Sequence, residues 1–152
     1  GVSRSEADEY IKGYLRHYSG VDKYMHDVVE KAKKDGYAET MFARRRYLPE
    51  LTASNANTRA FGERVARNMP IQGTAADIIK IAMIRVYERL ERENLAAKLI
   101  MQVHDELIVE APENEKERVS ALLKEEMENA VKLSVVLTAD VHSGRTWYDA
   151  KG

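Results

Sequence analysis

The chain has 152 residues, of which 44% are hydrophobic and 32% are charged, and its formal net charge at pH 7 is −1. This length can bury the core of one domain, and the balance of apolar and charged residues is typical of a folded, soluble protein. The sequence contains no cysteine, which excludes disulfides, thiolate metal sites and cysteine nucleophiles. No apolar run approaches the roughly 20 residues that cross a bilayer, so no membrane partner is expected.

The small net charge hides an uneven distribution. Six arginines and two glutamates lie between Phe42 and Arg67, whereas six glutamates and three basic residues lie between Glu113 and Glu128. Clustered guanidinium groups favour phosphate binding, so the first region is a candidate nucleic-acid surface. We interpret the acidic region as a solvated face.

The first 36 residues predict a pair of helices. Ser3 and Glu6 have the spacing of a capping box, Gly20 interrupts the pattern, and Gly36 is placed as the C-cap of the second helix. Apolar and tyrosine side chains recur along both helices at helical spacing. Such a stripe is more often a core face than a base-stacking surface, so we expect it to be buried. It consists of Tyr10, Ile11, Tyr14, Leu15, Tyr18, Val21, Tyr24, Met25, Val28, Val29 and Ala32.

The middle of the chain predicts short strands, a loop and two helices. Residues 37–51 are β-tending pieces, and residues 51–59 are polar and rich in turn formers. A helix is expected from about Thr58 to Asn68, after which Pro70 favours leaving helical geometry. A longer helix is expected from about Thr74 to Glu93. Because it is apolar on most of its circumference, it should be buried on more than one face.

The remaining elements predict a hairpin, a helix and a strand. Leu99–Val103 and Leu107–Val109 are apolar runs that flank a polar tripeptide, which indicates a β-hairpin with strands buried between other layers. An acidic helix from about Glu113 to Val131 and a final strand near Val135–Val141 complete the chain. Helices followed by a hairpin, a helix and a strand predict an α+β fold.

The tip of the predicted hairpin is His104-Asp105-Glu106. Adjacent carboxylates repel each other, so they are exposed in a turn, paired with a protein cation or neutralised by a hard divalent cation. Taken alone, the pair favours the structural explanation, because acidic turns are common. Successive strand side chains point to opposite faces, and a two-metal site needs several oxygen ligands. Asp140 is a weak candidate for a further ligand, so any metal site in this chain is incomplete.

A second polar cluster surrounds the predicted boundary between the two middle helices. Arg64, Asn68 and Gln72 are spaced four residues apart and share a face wherever the helix is continuous, and Arg59 precedes them. Guanidinium groups bind phosphates, whereas Asn and Gln side chains meet base edges. The mixture is suited to a surface along a duplex. A polar junction that binds nothing is an equal alternative.

Four motifs occur in the order and the approximate spacing of a known family. The motifs are RRRYLP at Arg44–Pro49, ERVARNMPIQGTAADIIK at Glu63–Lys80, QVHDEL at Gln102–Leu107 and SGRTWYDAK at Ser143–Lys151. Together they resemble family A DNA polymerases (the DNA polymerase I type) over essentially the whole chain. The resemblance implies a DNA-directed DNA polymerase, a nucleotidyltransferase of DNA replication and repair that uses two Mg²⁺ ions.

The resemblance also implies roles for single residues. Asp105 would be a metal ligand and catalytic carboxylate, Glu106 an auxiliary catalytic carboxylate, and His104 a neighbour of the primer terminus. Partners would be primer–template DNA and deoxynucleoside triphosphates. The implied DNA contacts are Arg64, Asn68 and Gln72 to template phosphate and minor-groove base edges, with Arg44, Arg45 and Arg59 as weaker contacts to the DNA backbone.

By the same resemblance, residues 1–36 belong to the helical fingers, 37–58 form a β-tending connection and loop, and 59–152 belong to the palm. The family's first metal-binding aspartate, in D-Y-S-x-x-E-L-R, and its nucleotide-binding helix, R-x-x-x-K-x-x-N-F-G-x-x-Y-G, are absent. Since the chain begins with Gly1 rather than methionine, both motifs are expected upstream. The chain alone should therefore be inactive. The parent is expected to be monomeric, cytoplasmic and nucleoid-associated.

Two other functions remain open on sequence grounds. A non-catalytic nucleic-acid-binding module would use the arginine cluster without the missing motifs. An HD-type metal phosphohydrolase would use His104-Asp105, but it would need further His and Asp ligands and would carry the dipeptide on a helix. Metal-dependent primer extension and the local structure at the dipeptide distinguish these alternatives.

Overall fold

A computed structural model describes residues 1–151 of the chain and confirms the α+β class. Contacts divide it into two compact units, Gly1–Thr74 and the residues from Ala75 onward. None of the helices in the described part is long and apolar enough to span a membrane. The elements are α1 (Arg4–His17), α2 (Ser19–Asp35), β1 (Tyr37–Glu39), β2 (Arg45–Tyr47), α3 (Ala56–Arg92), β3 (Lys98–Val103), β4 (Glu106–Glu110), α4 (Lys116–Glu128) and α5 (Trp147–Ala150), with 3-10 turns at Pro49–Thr52 and Glu113–Glu115.

The ends of the first two helices confirm the predicted caps. The Ser3 hydroxyl accepts the Glu6 amide at 3.3 Å, and the Glu6 carboxylate accepts the Ser3 amide at 2.7 Å. Gly36 ends α2 with a φ of 80°, a left-handed conformation that costs glycine little, and its amide donates to the Ala32 carbonyl. Both caps form within one helical turn, which is why the sequence predicts them well.

The predicted burial of the apolar stripe is wrong for α1. Tyr10, Tyr14 and Tyr18 are 69%, 54% and 49% exposed, and α1 contains no buried residue. Only the second half of α2 reaches a core, through Val29 and Ala32. Helical spacing shows which side chains share a face, but it does not show what covers that face.

The core of the first unit forms where α2, the β1–β2 hairpin and the first half of α3 meet. Gly62 of α3 lies directly against the 3-10 turn, because a Cβ there would come within 3.1 Å of the Leu51 side chain and backbone. The sequence therefore positions α3 against the turn through a residue without a side chain. The buried residues are Val29, Ala32, Ala38, Leu48, Leu51 and Ala66.

A single helix replaces the two that were predicted around Pro70. Proline removes one backbone donor and crowds the preceding turn, at a cost of about 3 kcal/mol. Nevertheless α3 continues through Pro70, since Ala66 before it is fully buried and Thr74 after it is 7% exposed. The predicted helix boundary is wrong because burial on both sides outweighs the local preference of proline.

The second unit packs the second half of α3 and the β3–β4 hairpin against α4. The predicted hairpin is confirmed, but its predicted three-residue tip is wrong, because Glu106 pairs with Val103 and leaves a two-residue turn. Its predicted burial between two layers is wrong, because Ile100 and Met101 are 55% and 40% exposed while Leu99 packs on the core. The main core cluster of this unit consists of Val86, Leu90, Ala97, Val119, Leu122 and Leu123.

The predicted final strand is also wrong, whereas the acidic helix before it is present as α4. Residues 131–146 form neither helix nor strand, and Val135 and Val136 are 67% and 89% exposed. A β-tending sequence forms a strand only where another backbone pairs with it. Within residues 1–151 the two sheets contain only the β1–β2 and β3–β4 pairs.

An ion-pair network links α3 to α4 within the second unit. The largely buried Arg89 guanidinium contacts Glu93 at 2.9 Å, Glu125 at 2.8 Å and Glu126 at 2.6 Å. Arg118 of α4 reaches the same Glu93 carboxylate at 2.5 Å. Hydrogen bonds from Arg118 and then Arg89 lower the pKa of Glu93 to about 2. The carboxylate is therefore held ionised by guanidinium groups from both helices.

Glu93→Gln should lower the melting temperature of the chain at pH 7, because the neutral amide loses the electrostatic attraction to the two guanidinium groups. The folded pKa of about 2 lies below the ordinary glutamate pKa of 4.5, so this stabilisation is complete above pH 4.5 and is lost as the pH falls towards 2. Circular dichroism melts over this pH range should show the two proteins converging. Glu91→Gln, at an exposed neighbouring position, serves as the control. A difference in melting temperature between Glu93→Gln and the parent that stays constant down to pH 2 would contradict the assignment.

Candidate nucleic-acid interface and metal site

The turn of the β3–β4 hairpin consists of His104 and Asp105. His104 has a φ of 52°, which non-glycine residues adopt rarely and which two-residue hairpin turns normally obtain from Gly, Asn or Asp. The Gln102 side-chain amide donates to the His104 carbonyl at 2.6 Å and holds the turn. The backbone is therefore strained at the point where the sequence predicts chemistry.

The two carboxylates at this hairpin, those of Asp105 and Glu106, are both exposed. Asp105 belongs to the turn, whereas Glu106 is the first residue of β4. Carboxylate oxygens suit Mg²⁺, which proteins bind through one or two carboxylates together with water and substrate phosphates. Asp105 fits such a role as one ligand. Among residues 1–151, no group of three or more His, Asp or Glu side chains is arranged to hold a metal ion.

The weak second candidate, Asp140, lies in the segment that follows α4. It lines an open cavity of about 380 Å³ with Glu117, Lys124 and His142, between α4 and the segment that follows it. Asp105 is not among the residues that line this cavity.

The polar residues of α3 in the first unit form one row. Arg64, Asn68 and Gln72 are exposed and lie four residues apart on a helix that does not break at Pro70. The Arg64 guanidinium lies 5.8 Å from the Phe61 ring, a distance at which a cation–π contact is favourable. The row presents one guanidinium group followed by two amide groups. The guanidinium group is suited to binding a phosphate, and the amide groups are suited to hydrogen bonding with base edges.

Two of the weaker arginine candidates are engaged within the protein. The Arg59 guanidinium donates to the Ala53 and Ser54 carbonyls at 2.7 and 2.6 Å and closes the loop before α3. Arg45 pairs with Glu39 at 3.3 Å and lies 4.5 Å from the centre of the Tyr37 ring. These partners include backbone carbonyls and a neighbouring strand, so arginine clustering in the sequence could not reveal them.

Sequence reasoning missed two threonines that shape the arginine-bearing β1–β2 hairpin. The Thr40 hydroxyl accepts the amides of Phe42 and Arg44, both at 3.2 Å. The Thr74 hydroxyl of α3 accepts the Met41 amide at 3.1 Å. Both threonines are buried polar residues. They act on backbone amides, and the only signal in the sequence is the tendency of threonine to bond local backbone in turns.

The comparisons with known proteins all indicate the same family. Residues 1–149 match the sequence profile described as DNA polymerase family A. The chain is 55% identical over 150 residues to DNA polymerase I of Bacillus caldotenax and 54% identical over 150 residues to that of Geobacillus stearothermophilus. Each alignment covers 99% of this chain and 17% of the relative, so the chain spans about a sixth of their length.

Among solved structures, the chain is similar to one described as the POL domain of Pol1 from M. smegmatis in complex with DNA primer-template and dNTP. The TM-score is 0.95 and the sequence identity is 45%. The match covers 99% of this chain and 27% of that chain. Similarity at this level extends to the whole described fold.

His104→Gly should increase the free energy of unfolding by about 1 kcal/mol, because glycine adopts a positive φ without the cost that a side chain adds. Urea denaturation of both proteins measures the difference. His142→Gly, at an exposed position without a positive φ, should give no gain. A loss of stability in His104→Gly would mean that the imidazole contacts outweigh the strain of the turn.

Proposed function

Because this chain belongs to DNA polymerase family A, we propose that it supplies part of the catalytic centre and of the DNA-binding surface of a DNA-directed DNA polymerase. The observation that carries the proposal is the position of His104-Asp105 in a two-residue hairpin turn, within a motif that resembles the family's palm carboxylate. The same turn argues against an HD-type phosphohydrolase, which would need the dipeptide on a helix and additional ligands.

In the proposed reaction the primer 3′-hydroxyl attacks the α-phosphate of a deoxynucleoside triphosphate, and pyrophosphate leaves. Two bound Mg²⁺ ions would activate the hydroxyl and neutralise charge on the leaving oxygens. Asp105 contributes one carboxylate ligand, and Glu106 adds a second negative charge beside it. His104 lies near the primer terminus. The exposure of Asp105 supports this role, because the carboxylate is accessible to ligands from outside the chain.

The row on α3 provides the proposed DNA contacts. Arg64 binds a template phosphate, and the amides of Asn68 and Gln72 donate to minor-groove acceptors. Every correct base pair presents acceptors there, so these contacts report the shape of a pair without reading its sequence. Arg44, Arg45 and Arg59 add positive charge near the backbone. Their contribution is smaller where the guanidinium already has protein partners.

The activity is proposed for a longer protein, since the chain spans 17% of the length of its relatives. In that protein residues 1–36 would belong to the fingers, 37–58 to a connection, and 59–152 to the palm of a monomeric, cytoplasmic enzyme associated with the nucleoid. By itself the chain should not extend primers, because a single hairpin aspartate cannot hold two cations roughly 4 Å apart. A non-catalytic DNA-binding module is the alternative that remains to be tested.

Asp105→Asn should lower kcat for primer extension at least a thousandfold, since loss of a metal ligand removes on the order of 4 kcal/mol of transition-state stabilisation. We would measure extension in a chimera in which this chain replaces the matching segment of the Geobacillus stearothermophilus enzyme. The dissociation constant for DNA should change little. Asp140→Asn is the matched control and should remain active. Full activity of Asp105→Asn would remove the catalytic assignment, and an inactive parent chimera that still binds DNA would favour the binding module.

Gln72→Ala should reduce discrimination against mismatched primer ends by about tenfold, because one base-edge hydrogen bond contributes on the order of 1–3 kcal/mol to selectivity. Extension rates from matched and mismatched primers in the same chimera give the ratio. The rate of extension from matched primers should change little. Asn114→Ala, an exposed amide outside the row, is the control. An unchanged ratio in Gln72→Ala would count against the minor-groove contact.

A further inference from the structure

The direction of the Asp105 carboxylate depends on the backbone of the turn that carries it. Asp105 and its neighbours His104 and Glu106 are exposed, so packing against other side chains does not fix their positions. Because Val103 pairs with Glu106, only two residues make the turn between the strands. In a turn this short, rotation of one peptide plane redirects the side chains on either side of it.

The turn does not adopt the most favourable backbone conformation. His104 has a φ of 52°, in the left-handed region that residues with a side chain adopt at a cost. Two-residue turns usually avoid this cost by placing Gly, Asn or Asp at such a position. A strained conformation persists only where neighbouring contacts enforce it. The turn therefore needs a contact that restrains His104.

Gln102 supplies a contact of this kind. Its side-chain Nε2 donates to the His104 carbonyl oxygen at 2.6 Å. Gln102 also pairs across the ladder with Leu107, whose side chain packs on the core cluster of the second unit. The Gln102 backbone is thus held by the ladder, and the end of its side chain holds the turn.

The His104 carbonyl is directly linked to Asp105. The carbonyl carbon and oxygen of His104, the Asp105 amide nitrogen and the Asp105 Cα lie in one plane, because the peptide bond resists rotation. A donor on this oxygen therefore restrains the plane from which the Asp105 side chain projects. The restraint from Gln102 acts through the backbone rather than on the carboxylate itself.

We propose that Gln102 is a positioning residue for Asp105, and that its hydrogen bond to the His104 carbonyl holds the carboxylate in the orientation that binds a divalent cation. The proposal rests on the proposed function, because it concerns the metal ligand assigned there, and it adds what orients that ligand. A ligand that is already held in place loses less conformational freedom when the cation binds. Loss of the hydrogen bond should therefore weaken cation binding without removing a ligand.

Binding of Mn²⁺ tests this role without relying on turnover. The same chimera would be bound to a primer–template whose primer ends in a dideoxynucleotide and to the matching deoxynucleoside triphosphate. Titration with Mn²⁺ would then be followed by electron paramagnetic resonance. Gln102→Met keeps the length of the side chain but has no donor, and it should raise the dissociation constant of Mn²⁺ about fivefold. That factor corresponds to about 1 kcal/mol, the net contribution of one hydrogen bond.

Two further variants separate positioning from a general loss of stability. Val109→Ala removes apolar contacts at the other end of the hairpin, where Val109 pairs with Leu99 and packs on the core. It should lower the melting temperature and leave the dissociation constant of Mn²⁺ unchanged. In the Asp105→Asn background, Gln102→Met should have little further effect, because the ligand through which it acts is gone. An equal loss of Mn²⁺ affinity in Val109→Ala, or an undiminished effect of Gln102→Met in that background, would overturn the proposal.

Primer extension provides a second measurement. The rate of Gln102→Met should fall at limiting Mg²⁺ and approach the parent rate at saturating Mg²⁺, because its ligands are all present. Excess Mg²⁺ should not restore Asp105→Asn. The two proposals fail separately. An inactive Asp105→Asn with unchanged Mn²⁺ affinity in Gln102→Met rejects the positioning role alone, whereas an active Asp105→Asn rejects the catalytic assignment.

Discussion

The burial of α3 on both sides of Pro70 is the constraint on which most of the molecule depends. Ala66 belongs to the core of the first unit, and Val86 belongs to the core of the second. Each core gains more from the helix than the proline costs locally, so one helix of 37 residues forms where residue preferences alone favour two. A break at Pro70 would separate Gln72 from Arg64 and Asn68, and the polar row would no longer exist.

The two candidate surfaces combine regular scaffolds with locally unfavourable backbone. The row on α3 uses an ordinary helical face, whereas His104 and Ala43 have left-handed conformations in the turns of two different hairpins. In each turn a side chain holds the backbone: the Gln102 amide donates to the carbonyl of His104, and the Thr40 hydroxyl accepts the amide of Phe42 beside Ala43. Strain of this kind persists only where surrounding contacts enforce it, and it concentrates at sites where the position of a side chain matters.

The sequence predicts those features that are set within a few residues. The Ser3 capping box, the Gly36 cap and the β3–β4 hairpin all form from neighbouring positions. The tyrosine stripe of α1 and the strand near Val135–Val141 fail for the opposite reason, because burial and strand pairing require partners far away in sequence. The same division holds at the candidate site. The turn at Asp105 follows from local pattern, but the carbonyl partners of Arg59 do not, and the roles in DNA binding and catalysis remain proposals.

The contact between Gly73 and Thr40 has a consequence for how the molecule tolerates change. A Cβ at position 73 would lie 2.6 Å from the γ-methyl group of the buried Thr40, so the helix, the hairpin or the Thr40 side chain would have to shift to make room. Alanine there alters no polar group, yet it would disturb the contact between α3 and the base of the β1–β2 hairpin. The size of the side chain at position 73 therefore sets the distance between α3 and the base of the β1–β2 hairpin. Larger side chains there would be expected to increase that distance.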